Sequence, residues 1–126
     1  MIGYVMIGTN DLERAASFYD QVLGLLGGKR FMEMERGIAY SAGENSPGIG
    51  IGKPFDGNPA TVGNGMMVAL AASGPAQVDE IYAKAIELGG TDEGKPGPRG
   101  EGPFYGAYFR DLDGNKLCAF CMVPQD

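Results

Sequence analysis

The sequence contains the same short pattern twice, about half a chain apart. An apolar run at Ile2–Gly8 leads through a polar turn into a helix-like segment, and a second run at Met66–Ala72 leads into another. Each copy ends in the triplet Leu-Gly-Gly, which begins at Leu26 and again at Leu88. A repeat of this kind restricts the chain to a fold built from two similar modules.

The first copy shows the pattern most clearly. Alternate residues of Ile2–Gly8 point to opposite faces of a strand, which places Tyr4 and Met6 on the same side. The turn Thr9–Asp11 supplies side chains that cap helices, and the apolar residues after it recur at helical spacing. Gly27 can adopt the left-handed conformation that ends a helix. This copy therefore predicts a strand, a helix and a glycine stop.

The segments after each helix predict further strands. Residues 30–35, 38–41 and 48–53 read as three short strands and residues 54–64 as a loop. Thr91–Pro103 reads as a second loop, in which one short strand of the second module could be hidden. Phe104–Arg110 and Lys116–Val123 are predicted strands, joined by the turn sequence DLDGN. We expect an α+β fold of two β-α-β-β-β modules, about 1–54 and about 65–124, in one domain spanning 1–126.

Composition excludes several classes of partner and location. The net charge is -6 and no cluster of Lys or Arg is present, so a nucleic-acid partner is not expected. No run approaches the roughly 18 apolar residues that a membrane helix needs, and the first residues do not resemble a signal peptide. Two cysteines do not make a disulfide framework. We therefore expect a cytoplasmic protein without membrane contact.

The chain has no histidine. Histidine is the usual general base near neutral pH and the commonest metal ligand. Its absence excludes a Ser-His-Asp triad, a Cys-His pair and every histidine-bearing zinc motif.

Three stretches of sequence resemble one known family. They are TNDLERAASFYDQVLG after the first strand, NGMMVALAA at 64–72 and YGAYFRDLDGNKLCAFC at 105–121. Together with the doubled module they resemble the vicinal oxygen chelate superfamily, in its glyoxalase-like branch, which includes glyoxalase I, bleomycin-resistance proteins and extradiol dioxygenases. The resemblance implies that the modules curl into a cup with the helices outside. It also implies a divalent metal in the cup, acting as a Lewis acid.

The ligand positions implied by the resemblance carry other residues here. They fall at Tyr4, Met67 and Cys118, and the fourth lies within Gly48–Gly52, where no side chain can bind a metal. We therefore expect no metal cofactor; the alternative is a divalent metal as in the family. A Tyr, Met and Cys set would suit Cu(I) better, or simply fill a pocket. Cys118 and Cys121 form a C-x-x-C, but their odd separation in a strand points them to opposite faces.

If the resemblance holds, one face of the predicted sheet in each module lines the cup. The expected ligand-binding residues are Tyr4, Met6, Met67, Ala69, Cys118, Phe120, Arg99 and Tyr105. Such a lining is apolar and rich in sulfur, and it suits a planar or hydrophobic small molecule. Three points stay open: the side chains could close the cavity, Arg99 could be a solvated loop charge, and the faces on which Tyr105 and Tyr108 lie are not fixed.

Three functions follow from these expectations. The first is a metal-free protein that binds a small apolar or aromatic molecule, as the bleomycin-resistance branch does, in a cavity shared by a homodimer. The second is a lyase, isomerase or dioxygenase-type enzyme with Tyr4 or Cys118 as a non-standard acid or base. The third is a degenerate module that serves dimerisation or interaction. The sequence leaves open whether catalysis remains.

Overall fold

The computed structural model describes residues 1–125 and contains eight strands and two helices in that range. In chain order the elements are β1 (Tyr4–Gly8), α1 (Leu12–Gly24), β2 (Lys29–Met34), β3 (Gly37–Ser41), β4 (Gly48–Gly52), β5 (Val68–Ala71), α2 (Pro75–Glu87), β6 (Thr91–Pro98), β7 (Phe104–Arg110) and β8 (Lys116–Met122). They fall into two compact units, unit 1 from Met1 to Gly63 and unit 2 from Asn64 onward.

The two units have the same topology. The sheet of unit 1 has the strand order β1-β4-β3-β2, and that of unit 2 has the order β5-β8-β7-β6. In each sheet the first strand of the unit pairs in parallel with the last, and the remaining pairs are antiparallel. This confirms the predicted α+β class and its two β-α-β-β-β modules. The assignment of the whole chain to one domain stays a prediction.

Each helix packs one apolar stripe against its own sheet. In α1 the side chain of Asp11 caps the helix by accepting a hydrogen bond from the Arg14 amide at 3.1 Å. The buried residues of α1 are Ala15, Ala16, Phe18, Tyr19, Val22 and Leu23, and those of α2 are Val78, Ile81 and Ala85. These stripes contact β2, β3 and β4 in unit 1 and β6, β7 and β8 in unit 2.

Both helices end in the same glycine arrangement. Gly27 and Gly89 have φ angles of 80° and 103°, in the left-handed region. The next residue in each copy donates its amide hydrogen to a carbonyl of the last turn, Gly28 to Leu23 and Gly90 to Ala85, both at 2.8 Å. The repeated Leu-Gly-Gly triplet is therefore a repeated helix stop.

The strand that the second module lacked in the sequence lies within the predicted loop Thr91–Pro103. Thr91–Pro98 forms β6, which pairs with β7. The pairing shifts register between Asp92 and Gly94 and again between Gly94 and Gly97. Bulges at these places and the proline at position 96 remove the two-residue alternation that marks a strand, and an edge strand tolerates both.

No helix within residues 1–125 is long and apolar enough to cross a membrane.

Candidate functional site

Each sheet has one face covered by its helix and one open face. In unit 1 the helix-covered face carries Ile7, Ile38, Tyr40 and Ile51, all buried. The opposite face, which we call the open face of unit 1, carries five large exposed side chains: Tyr4, Met6, Phe31, Met32 and Met34. Tyr4 and Met6 therefore share one face, as predicted. The surface they belong to is apolar and rich in thioethers.

Strand β4 presents almost bare backbone to this face. Its residues Gly48, Gly50 and Gly52 lie in register with β1, and they alternate with isoleucines that point to the helix. A Cβ at Gly50 would overlap the sulfur of Met6, which lies across the strand. The absence of β4 side chains leaves room for the thioether of Met6 to lie against the sheet.

Two grooves flank β4 in unit 1. One has a volume of about 640 Å³ and is lined mainly by Met6, Met34, Phe55 and the backbone of β4, with Arg36 and Lys53 at its rim. The guanidinium of Arg36 lies 5.9 Å from the centre of the Phe55 ring, and its Nη2 donates a hydrogen bond to the Pro54 carbonyl. The second groove, about 500 Å³, is lined by Tyr4 and Phe31 among others. Both have the size of small-molecule sites.

The open face of unit 2 is narrower and partly aromatic. It is defined by Ala69, Ala71, Phe104, Tyr108, Lys116, Cys118, Phe120 and Met122. Cys118 lies between Ala69 and Tyr108 in the sheet register. The rings of Phe104 and Phe120 are parallel with centroids 5.5 Å apart. Gly106, the partner of Phe120, leaves the space for this pair, since a Cβ there would lie 2.6 Å from the Phe104 ring.

Cys118 is fully buried, with 0% of its surface exposed. Burial raises the pKa of its thiol; a hydrogen bond with Tyr108 and the positive charges of Arg99 and Lys116 act weakly in the opposite direction. The thiol is therefore neutral near pH 7, and the thiolate that binds metals and acts as a base is disfavoured.

The three implied ligand positions do not fit a divalent metal. The Tyr4 side chain is 69% exposed, Met67 lies one residue before β5 and is 44% exposed, and Cys118 is a buried neutral thiol. In the part of the chain that the structure describes, no group of three or more His, Cys, Asp or Glu side chains could hold a metal ion. A thioether and a protonated thiol are weak donors for the divalent ions that the resemblance implies, which it expects to be bound by His and Glu.

Tyr105, expected among the ligand-binding residues, lies on the other face of unit 2. It pairs with Cys121 in the sheet, and its hydroxyl donates a hydrogen bond to Asp79 of α2 at 2.7 Å. The cause is the register of β7, which turns Tyr105 toward the helix and Tyr108 toward Cys118. The same register places Cys118 and Cys121 on opposite faces, as predicted, and both are free thiols.

Arg99 is held in place by the backbone around it. Its guanidinium donates hydrogen bonds to the carbonyls of Lys95, Gly97 and Pro98, at distances from 2.6 to 3.3 Å. It also lies over the Tyr108 ring, 5.4 Å from the ring centre. Since these contacts fix the side chain, the alternative of a freely solvated loop charge does not describe it.

Several open-face residues were missed by the sequence reasoning. Phe31, Met32 and Met34 lie on β2, where a register shift between Arg30 and Met32 interrupts the alternation. The bulge brings Phe31 onto the same face as Met32, near Gly48. The unusual run of two methionines and a phenylalanine in an otherwise exposed strand was the available signal.

Comparisons with known proteins agree with this architecture. The sequence profile of the Glyoxalase/Bleomycin resistance protein/Dioxygenase superfamily matches residues 1–119. No curated protein sequence matches the chain. A crystal structure of a glyoxalase/bleomycin resistance protein from Albidiferax ferrireducens T118 is 42% identical, with a TM-score of 0.87, and the match covers 96% of this chain and 98% of that one.

More distant solved structures share the fold. A lactoylglutathione lyase from Agrobacterium tumefaciens is 20% identical, with a TM-score of 0.71 and coverage of 96% of this chain and 92% of that one. A glyoxalase/bleomycin resistance protein/dioxygenase family enzyme from Burkholderia phytofirmans PsJN is 17% identical, with a TM-score of 0.76 and coverage of 96% and 98%. The profile match over nearly the whole length and the relative at 42% identity establish the family. The chain belongs to the glyoxalase/bleomycin resistance protein/dioxygenase superfamily.

Proposed function

We propose that this protein binds a small, largely apolar or aromatic molecule on its open faces, without a catalytic metal. The observation that carries the proposal is the open face of unit 1. Five large apolar side chains lie exposed there beside strand β4, whose positions on the same open face are glycines. Exposed apolar surface of this extent is typical of ligand or interaction sites.

The chemistry of the implied ligand positions supports binding over metal-dependent catalysis. The name of the Albidiferax relative joins two roles, glyoxalase and bleomycin resistance. By the resemblance, the first role implies a divalent metal held by His and Glu, and Tyr4, Met67 and Cys118 do not supply such ligands. The alternative of a metal-free enzyme gains little from Cys118, because burial raises the pKa of that thiol and disfavours the basic form. Neither Tyr4 nor Cys118 is therefore given a catalytic role.

The homodimer implied by the resemblance belongs to the same proposal. The open face of unit 1 carries five large exposed apolar side chains, and clustered apolar surface of this kind often marks an interface between proteins. A second copy of the chain would cover part of that surface and leave the ligand in a shared cavity. The cytoplasmic location also stays a prediction, supported by two thiols that are free.

A neutral fluorescent probe tests the binding proposal. N-phenyl-1-naphthylamine is apolar and brightens in apolar sites, and the chain contains no tryptophan to interfere with its signal. We expect wild type to bind the probe and Met6→Glu to weaken binding about tenfold or more, because a carboxylate beside the bare strand must be desolvated. The matched control is Val62→Glu, which adds the same charge at an exposed loop position.

The metal-free part of the proposal has its own test. Treatment with a chelator, followed by addition of Zn²⁺, Ni²⁺ or Mn²⁺, is expected to leave probe affinity unchanged. Elemental analysis showing one metal ion per chain in the purified protein would contradict it. Equal probe affinity in wild type and Met6→Glu would contradict the assignment of the open face.

A further inference from the structure

Arg36 and Lys53 are neighbours at one end of the sheet of unit 1. Arg36 lies in the turn between β2 and β3, and Lys53 directly follows β4. The register pair at this end of β3 and β4 is Gly37 with Gly52, and the pairing continues with a hydrogen bond from the Lys53 amide to the Arg36 carbonyl at 2.9 Å. Because paired strands lie about 5 Å apart, the two basic side chains start from adjacent points of the backbone.

Both residues line the larger groove of unit 1, the one with a volume of about 640 Å³. The apolar side chains of this groove are open to a ligand: Met6 is 55% exposed, Met34 57% and Phe55 95%. A groove with accessible apolar walls can take the apolar body of a small molecule. The two basic residues at its rim would then lie next to one end of that molecule.

The guanidinium of Arg36 is held in position and still has hydrogen-bond donors available. Its Nη2 donates to the Pro54 carbonyl, and the group lies 5.9 Å from the centre of the Phe55 ring. Within the described residues it donates no other hydrogen bond. Since Nη2 carries one hydrogen on each of its two edges, one edge of the planar group keeps both of its N–H groups available. Two parallel N–H groups match the two oxygens of a carboxylate.

The charges at this groove are not balanced within the protein. Among residues 1–125, neither Arg36 nor Lys53 forms an ion pair with an Asp or Glu. Glu35 also lines the groove, so its charged residues together carry one positive charge, in a chain whose net charge is -6. Asp56 lies in a neighbouring groove, which the two basic residues also line, and it accepts a hydrogen bond from the Asn58 amide at 2.9 Å. One positive charge beside apolar walls favours a ligand with a single negative charge.

We propose that the larger groove of unit 1 binds an aromatic monocarboxylate, with its carboxylate at Arg36 and Lys53 and its ring against the apolar walls. The inference rests on the proposed function, which it narrows from apolar molecules in general to those with one carboxylate, and from the open faces to one groove. Thioether and aromatic side chains pack well against an aromatic ring. A planar carboxylate fits the fork of an arginine through two parallel hydrogen bonds.

Two probes of nearly equal shape separate the carboxylate from the apolar body. 2-Naphthoate carries one negative charge, and 2-naphthamide is its neutral counterpart. By calorimetric titration of the full chain at low salt, we expect 2-naphthoate to bind at least about tenfold more tightly than 2-naphthamide, because its hydrogen bonds are charge-assisted. Arg36→Gln and Lys53→Gln are each expected to reduce that preference, and Arg36→Lys to reduce it less than Arg36→Gln.

Two further variants test the sign of the charge effect and the choice of groove. Glu35→Gln removes the opposing carboxylate and is expected to increase the preference for 2-naphthoate about twofold. The matched control is Lys29→Gln, which removes one positive charge from the second groove of unit 1 and is expected to keep the wild-type preference. A direct readout is the Arg36 Nε–H signal in ¹⁵N-edited NMR spectra, assigned by its loss in Arg36→Gln. We expect 2-naphthoate to shift that signal further than 2-naphthamide does.

Several outcomes would overturn the inference. Equal affinity for both probes in wild type would remove the carboxylate site and leave the proposed apolar binding intact. A loss of preference in Lys29→Gln as large as that in Arg36→Gln would mean that net charge, not this groove, attracts the anion. If N-phenyl-1-naphthylamine binds and neither naphthyl probe does, the inference alone fails. If none of the three probes binds, the proposed function fails with it.

Discussion

At the scale of single residues, Tyr40 shows how unit 1 satisfies a buried polar group. Its hydroxyl donates to Asp20 of α1 at 2.8 Å, and Arg30 of β2 contacts both oxygens of the same carboxylate at 2.7 and 2.8 Å. The hydrogen bond from Arg30 lowers the pKa of Asp20, and burial raises the pKa of Tyr40. One carboxylate therefore connects the helix to two strands of its sheet.

The lowered pKa of Asp20 gives a pH-dependent prediction for Asp20→Asn. Because the folded pKa lies below the unfolded one, the stabilisation is complete above the unfolded value of about 4 and is lost as pH falls through the folded value. We expect Asp20→Asn to reduce the free energy of unfolding by about 1 kcal/mol at pH 7, with the loss shrinking below pH 4. Urea denaturation at pH 7 and pH 3 measures it.

A carboxylate without such contacts serves as the control. Glu44 lies exposed in a turn, and Glu44→Gln is expected to stay within about 0.5 kcal/mol of wild type at both pH values. A loss for Asp20→Asn that is as large at pH 3 as at pH 7 would show that shape, not charge, is responsible.

The thiol of Cys118 gives a second prediction at this scale. Burial raises its pKa, so we expect alkylation by iodoacetamide at pH 8 to be at least about tenfold slower than that of a free cysteine in a peptide. Peptide mapping by mass spectrometry resolves Cys118 from Cys121. The same protein unfolded in urea should react at the peptide rate. A native rate equal to the peptide rate would contradict the buried neutral thiol.

At the scale of secondary structure, the elements that depend on local sequence were predicted more completely than those that depend on long-range strand pairing. The strand, helix and glycine stop of each module were predictable because caps, helical spacing and glycines act within a few residues. The bounds of strand β6 could not be predicted because its pairing runs through two bulges. The facing of Tyr105 could not be predicted because it depends on the register with β8. Register is set by contacts distant in sequence.

The repeated helix stop gives a prediction with an internal comparison. A Cβ at Gly28 would lie 2.9 Å from the Leu23 carbonyl oxygen, and one at Gly90 would lie 2.8 Å from that of Ala85. Backbone atoms cannot move aside cheaply, so Gly28→Ala and Gly90→Ala are each expected to lower the free energy of unfolding by about 1–3 kcal/mol. Gly24, the last residue of α1, has open space around it.

Gly24→Ala is the matched control for the helix stop. Alanine fits a helical backbone and restricts the unfolded chain, so this change is expected to stabilise by up to about 1 kcal/mol. Thermal or urea unfolding of the three variants measures the difference. A neutral Gly28→Ala or Gly90→Ala would contradict the close approach seen at these turns.

At the scale of the whole molecule, the sequence predicted the doubled module but only part of the site. Tyr4, Met6, Cys118 and Phe120 were placed by strand alternation, and the structure puts them on open faces. The facing of the apolar residues of β2 was not predictable, because a bulge sets it. The fixed position of the Arg99 side chain was not predictable either, because backbone carbonyls hold it. The cup and its ligand stay predictions.

The proposed homodimer gives the prediction that belongs to this scale. We expect wild type to sediment with twice the mass of the 13.2 kDa chain. A Met32→Glu/Met34→Glu double variant should shift toward monomer, because carboxylates on the open face of unit 1 would have to be desolvated on association. Val62→Glu, an exposed loop change, should leave the mass unchanged. A monomeric wild type would contradict the dimer.

Strand β4 leaves this protein unusually free to acquire new chemistry. Of its three alternate glycines, Gly50 is the one over which only the flexible end of a side chain lies, the thioether of Met6, which can swing away. A Cβ at Gly48 or Gly52 would instead press on a backbone oxygen, that of Tyr40 at 3.2 Å or of Arg36 at 3.0 Å. A substitution at Gly50 would therefore place a carboxylate, an imidazole or a hydroxyl directly on the open face, with the hydrophobic core on the other side undisturbed.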